Sequence, residues 1–394
     1  MRKHAVPPQI PQEEFIERWK RVQEFMGHSN IDLLFAYGDD RAVFGAAHVR
    51  WLADVPVHFE PLCMLMPREG EPVLLSGPES DQYAILRGKI KNVRVLREFT
   101  HPDEDYPYSV IYGLAEIIAD LGLHPDRIKR VGIGGRYLIS ADVLSSFQHA
   151  LPNAEWLDLE SQLCELRAIK SPAEIAVIRF AYKIAEQGIQ AAIDKINPGV
   201  SEREVAAEAE AVMRHAGAEG TGIDTIVASG PNSRPILARP TFREIEENDL
   251  VLLTVAPRFE GYHGAIGRLV VVGEPNPEIG KALEIAVRAQ QACYRALRPD
   301  VEGRDVEKVG RAVVEKAGLG QYFLYSGLHS VGVIEFEPPI FGPSSPAKLQ
   351  ENMIISVDIP LFNTPWGGLR VEDGYLITAE GAERLSHTDY VSSK

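Results

Sequence analysis

Residues 166–179 read LRAIKSPAEIAVIR, and this stretch decides how the rest of the chain is parsed. Ser171 is an N-cap residue, and Pro172 suits the first helical position, where no N–H is needed. Glu174 stands three residues beyond the cap, where its carboxylate can return to the cap amide. The apolar spacing behind this box predicts a helix to about Ile196, stopped by Asn197-Pro198-Gly199. Ser201-Glu202-Arg203-Glu204 repeats the chemistry and opens a second helix ending around Gly217.

Further on, the pattern turns to strands at 225–228, 250–255 and 268–272. Helices follow at 277–297 and 305–317, then strands at 331–336, 353–359 and 374–378. Long helices followed by strand pairs predict an α+β domain. On the other side, residues 13–26 place Phe15, Trp19, Val22 and Met26 at helical spacing. Residues 31–37, 62–66, 72–75 and 131–133 read as short buried strands, and 110–121 as a helix. This alternation predicts a smaller α/β domain. The expected division is 1–165 and 166–394. Gly132, Gly134 and Gly135 lack the third glycine of a dinucleotide fingerprint, since residue 137 is Tyr, and read as a turn after a strand.

The 394 residues carry a formal charge of -15, which argues against a phosphate-binding surface and hence against nucleic acid as a partner. Cys63, Cys164 and Cys293 are few and far apart, neither a disulfide framework nor a metal knuckle, and read as buried free thiols. No apolar run approaches the roughly 20 residues that span a bilayer, and the N-terminus lacks the apolar core of a secretory signal. The expectation is a cytoplasmic protein with no membrane partner.

Eight blocks, in order, carry a family resemblance: the opening stretch, NPGVSE (197–202), IVASGPNS (226–233), DLVLL (249–253), GYH (261–263), LHSVG (328–332), EPP (337–339) and RVED (370–373). The chain resembles the creatinase/prolidase/aminopeptidase P family. The resemblance implies a C-terminal pita-bread domain preceded by a creatinase-type α/β domain. It also implies a homodimer in which the N-terminal domain covers the neighbouring site, with segments around Tyr37, His48–Trp51 and His58 facing the partner's pocket.

Metal-dependent members of that family bind two divalent ions with two aspartates, a histidine and two glutamates. Here Thr254 and Ala265 stand in the aspartate positions, His329 is retained, Asp358 replaces the first glutamate, and Glu372 is retained. Two further family histidines become Leu237 and Phe336. A hydroxyl and a methyl cannot replace two bridging carboxylates, so two ions would repel without compensation. The resemblance therefore points towards the metal-free branch represented by creatinase and ectoine hydrolase. The glutamate that creatinase uses falls at Gly267, however, so its mechanism does not transfer.

From this follows an expected metal-independent hydrolase, without cofactor, cutting an amide-like C–N bond in a small polar nitrogen compound other than an Xaa-Pro peptide. His329, Asp358 and Glu372 are the expected catalytic groups, two crowded carboxylates forming an acid–base pair. Tyr262, His263, Thr254, Arg370, Leu237 and Phe336 are the expected substrate-binding wall. The alternatives are a one-ion, Xaa-Pro peptidase-like hydrolase or lyase whose metal is held by His329, Asp358 and Glu372, with His263 as a further candidate ligand, and a catalytically inactive binding protein on the same fold. Glu335 and Glu337, flanking Phe336, point away from it if this segment is a strand.

Overall fold

The computed structural model describes residues 7–394. It divides into two compact units, one of residues 10–166 and one of residues 7–9 and 167–394.

The first unit is built on a seven-stranded sheet: β1 Leu33–Gly38, β2 Leu62–Pro67, β3 Val73–Ser76, β4 Val93–Leu96, β5 Ile111–Tyr112, β6 Arg130–Gly134 and β7 Glu155–Asp158, in the order β5-β4-β3-β2-β1-β6-β7. Strand β1 is buried at all six positions, as expected of a central strand covered on both faces, and it runs parallel to β6 and antiparallel to β2. Phe35, Phe99, Phe147 and Trp156 form an aromatic core with ring centroids 5.0–6.4 Å apart. Gly135 closes the turn after β6 at φ +75, a conformation that suits glycine. The helix expected over 110–121 begins only at Leu114. Residues 111–112 join the sheet edge, and the Glu116 carboxylate caps the Gly113 amide at 2.6 Å. Tyr37, His48 and Trp51 are buried in this unit, whereas His58 is exposed.

The second unit opens with the Pro172–Lys195 helix. Its capping box is formed in both directions, by Glu174 N–H to Ser171 Oγ and Ser171 N–H to the Glu174 carboxylate. The Glu202–His215 helix is capped the same way by Ser201 and Glu204. The strands are β8 Gly220–Thr221, β9 Ile226–Ser229, β10 Leu250–Val255, β11 Pro257–Phe259, β12 Tyr262–His263, β13 Ile266–Val271, β14 Leu328–Ser330, β15 Glu337–Ile340, β16 Ile354–Thr364, β17 Gly367–Thr378, β18 Gly381–Arg384 and β19 Val391–Ser393. The main sheet runs β15-β14-β16-β17-β13-β10-β9, with β18 on β17 and β19 on β13. The Pro277–Ala296 and Gly303–Lys316 helices contribute Ala286, Ala289, Cys293 and Val306 to a core shared with Leu252, Leu269, Ile355 and Val371 of the sheet. All three cysteines are free and buried. The fold is the two-domain α/β plus pita-bread arrangement that the sequence blocks imply.

Two features position the site. A single rung crosses four strands, pairing Thr254 with Gly267, Gly267 with Glu372, and Glu372 with Asp358. The second feature departs from expectation. Residues 331–336 are not a strand but the connection between β14 and β15, which fold back so that Ser330 pairs with Glu337. The run VGVIEF reads as a strand because Val331, Val333 and Ile334 are buried, yet it is a tight loop. Among the described residues, no helix is long and apolar enough to cross a membrane.

Candidate active site

The rung and the 331–336 loop bring a group of ionisable side chains together in the middle of the second unit. His329, Glu335 and Glu372 each offer a ligand atom, and these atoms lie within 4.8 Å of one another, all on buried residues. The loop explains Glu335. Period-2 alternation would turn it away from the pocket, but outside a strand that rule lapses and its side chain enters the cluster. Glu337, on the returning strand, is fully buried between Arg167 Nε at 2.7 Å and Lys170 Nζ at 3.3 Å. It ties the residues preceding the Pro172–Lys195 helix to the sheet and takes no part in the cluster.

The His329 ring is held in one orientation. Its Nδ1 donates to the Ser330 carbonyl at 2.9 Å, which leaves the Nε2 lone pair facing the carboxylates. Burial lowers its pKa to about 4, so the imidazole is neutral at physiological pH, as a metal ligand must be. Phe336, 40% exposed, packs its ring on His329 with centroids 4.3 Å apart.

The carboxylates are crowded. Burial, then Asp358, raises the Glu372 pKa to about 7, and burial with the charges of Glu372 and Asp358 raises Glu335 well above the usual range. Asp358 is also raised, chiefly by burial. Its oxygens are engaged by Tyr325 Oη and Ser356 Oγ, both at 3.0 Å, and lie no nearer than 3.9 Å to His329 Nε2. One methylene shorter than glutamate and tied back by two hydroxyls, Asp358 stands beside the ligand cluster. Glu335 takes the place the sequence reading gave it.

The remaining wall residues divide. The Arg370 guanidinium lies inside the site, donating from Nη2 to Thr254 Oγ1 at 2.8 Å and from Nη1 to Tyr325 Oη at 3.4 Å, with Nε 3.2 Å from Glu372 Oε2. Thr254 is thereby an acceptor for arginine and fully buried. His263 is buried, its Nδ1 on the Gly332 carbonyl at 3.1 Å, with burial lowering its pKa to about 3. It braces the loop that carries Glu335 and is absent from the ligand cluster. The Tyr262 hydroxyl is committed elsewhere, donating to Glu174 at 2.6 Å and anchoring the capping box of the Pro172–Lys195 helix. Leu237 is 65% exposed, not buried in the wall of the cluster.

A pair of ions does not fit this donor set. Thr254 and Ala265 offer no anionic ligand, and the Arg370 cation already occupies the Thr254 side. A single divalent ion does fit. One neutral imidazole and two carboxylates of high pKa make an open three-ligand site. Glu372 Oε2 accepts no hydrogen bond although buried.

Comparison with known proteins follows this division of the chain. The creatinase/prolidase N-terminal domain matches residues 18–169, and metallopeptidase family M24 matches residues 176–379. An Xaa-Pro dipeptidase from Pyrococcus furiosus is 33% identical over 259 residues, covering 66% of this chain and 74% of its own. One from Pyrococcus horikoshii is 34% identical over 235 residues, covering 60% and 67%. The crystal structure of the Pyrococcus horikoshii prolidase superimposes with a TM-score of 0.81 at 26% identity, over 95% of this chain and 99% of that one.

These relatives overturn the expectation of a metal-independent creatinase-like hydrolase acting on something other than an Xaa-Pro peptide, because they are Xaa-Pro dipeptidases and the chain itself matches a metallopeptidase family; they favour the metal-dependent, Xaa-Pro peptidase-like alternative. Two missing aspartates argue against a pair of ions but not against a single one, for which His329, Glu335 and Glu372 offer three donor atoms. The chain belongs to metallopeptidase family M24, within the creatinase, prolidase and aminopeptidase P group of hydrolases acting on C–N bonds.

Proposed function

We propose that this protein is a one-ion peptide hydrolase acting on Xaa-Pro dipeptides, with His329, Glu335 and Glu372 as its metal ligands. The observation that carries this reading is the convergence of those three donors within 4.8 Å in the domain shared with the Xaa-Pro dipeptidases. A divalent ion held there supplies Lewis acidity towards the scissile carbonyl and lowers the pKa of a bound water.

The chain's own residues do the rest. The carbonyl of Ser330 fixes the His329 tautomer, so the ligand nitrogen needs no reorganisation. Asp358 lies beside the ligands without joining them, and its raised pKa suits it to accept a proton from the attacking water and return it to the leaving imino nitrogen. Tyr325 and Ser356 hold that carboxylate in place. The exposed edge of Phe336 offers an apolar surface for a proline ring beside the ligand histidine.

The test is hydrolysis of Xaa-Pro and matched non-proline dipeptides by protein stripped with chelator and then reloaded with Mn²⁺. The expected result is cleavage of Xaa-Pro substrates that disappears on stripping and returns on addition of one ion per chain. Cleavage unaffected by complete metal removal, or no cleavage of any dipeptide by the loaded protein, overturns the proposal.

A further inference from the structure

The positions that lack aspartates have not been left empty. On the Thr254 side the space holds the Arg370 guanidinium, and on the Ala265 side it holds a phenol. Tyr182, reaching in from the Pro172–Lys195 helix, is fully buried, and its hydroxyl lies against the Ala265 amide without a good hydrogen-bond partner. A Cβ on Gly374 would collide with that hydroxyl, so Tyr182, Ala265 and Gly374 fit one another although they lie far apart in sequence.

We propose that the Arg370 guanidinium is the fixed second cation of this site, doing with a permanent protein charge what a second ion does in a two-ion peptidase. The inference rests on the one-ion reading above and deepens it.

Three observations support it. The first is charge. When ionised, Glu335, Glu372 and Asp358 bring three negative charges and Arg370 one positive, so one divalent ion neutralises the group and a second would leave two buried positive charges uncompensated. The second is hydrogen bonding. A guanidinium carries five N–H donors. Arg370 directs one to Thr254 and one, at 3.4 Å, to Tyr325, while its buried Nε finds no acceptor in good geometry. Donors are therefore left over for an oxygen that gains negative charge as the amide is attacked. The third is space, since the buried Tyr182 hydroxyl lies at the Ala265 amide and over Gly374, next to the position of the missing aspartate.

The guanidinium stays protonated. Arginine suits this role because it keeps its charge when buried and presents donors in a planar fork.

The experiment is calorimetric titration of Mn²⁺ into the chelator-stripped full-length protein, as wild type, Arg370→Gln and Arg370→Lys, with kcat and KM measured on an Xaa-Pro dipeptide. Wild type should take up one ion. Arg370→Gln should bind Mn²⁺ at least about tenfold more tightly, because a repelling positive charge is gone. Its kcat should fall by roughly a hundredfold with KM little changed. Arg370→Lys, which keeps the charge, should bind Mn²⁺ as wild type does. Two ions in wild type, or Mn²⁺ affinity in Arg370→Gln equal to or below wild type, overturns the proposal. Should Arg370→Gln not fold, wild-type stoichiometry and the Arg370→Lys affinity decide the matter. Uptake of no ion by wild type is a different failure, since it removes the one-ion reading itself.

Discussion

Two buried acids in the second unit show how the same side chain can be made comfortable or kept under tension. Glu202, wholly buried, is met on Oε1 by Ser229 N–H and Oγ–H, both at 2.7 Å. On Oε2 it is met by Thr241 N–H at 2.9 Å and Oγ1–H at 2.7 Å, with Asn232 Nδ2 bridging both oxygens. Burial pushes its pKa up, but those donors outweigh burial and hold it below the usual value. Glu372 is buried to the same degree, yet its Oε2 accepts no hydrogen bond, its neighbours include two more acids, and its pKa is driven up. The difference lies in the donors and in the neighbouring acids. Where the fold needs an anion for structure it surrounds the anion with N–H and O–H groups. Where it leaves acids crowded, it leaves room for a cation.

The largest expected effect breaks the crowded side. Glu372→Gln should lower kcat for an Xaa-Pro dipeptide by about a thousandfold, or about 4 kcal/mol of transition-state stabilisation, while the midpoint of thermal unfolding stays level or rises. A fall in unfolding temperature with unchanged kcat would place Glu372 with Glu202 as a structural acid. Breaking the satisfied side should do the reverse. Glu202→Ala strands several buried donors and should cost about 3 kcal/mol in urea unfolding.

The sign for pH follows from the lowered folded pKa of Glu202. Its contribution to stability is complete above the unfolded value and is lost as pH falls through the folded one. Wild type should therefore lose more stability than Glu202→Gln between neutral pH and the acid limb, and parallel acid limbs would count against the hydrogen-bond account.

Next in size, Glu335→Gln should weaken Mn²⁺ binding by roughly a hundredfold, since it removes one of three ligands. Unchanged affinity would return Asp358 to the ligand set. The smallest effect belongs to Tyr262→Phe, which deletes a bond to Glu174 and should cost about 1 kcal/mol of stability with no change in KM. A raised KM would restore Tyr262 to the substrate wall.

Most of the fold was legible in the sequence because its signals are local. Ser171, Glu174, Ser201 and Glu204 announce their helices within four residues, and each capping box forms as its sequence requires. His329 and Glu372 sit within the resemblance blocks, and Asp358 was read from the strand that pairs with Glu372. Glu335 was missed for a physical reason. Residues 331–336 alternate like a strand, and only the pairing of Ser330 with Glu337 shows that the segment turns. Tyr182 was invisible because nothing near it in sequence marks it; its meaning depends on Ala265 and Gly374, far along the chain. Leu237 and Phe336 were read alike, as former histidines, but exposure and ring contact separate them.

The rung shared by Thr254, Gly267, Glu372 and Asp358 closes one chemical route. A Cβ placed on Gly267 would sit 2.7 Å from the Glu372 Cβ, well inside the separation that side-chain carbons tolerate. The contact is with the Cβ and backbone of the paired strand, so while β13 and β17 meet at this rung position 267 has room for no side chain, acidic or otherwise. An acid there, where the creatinase glutamate falls, would require the two strands to move apart.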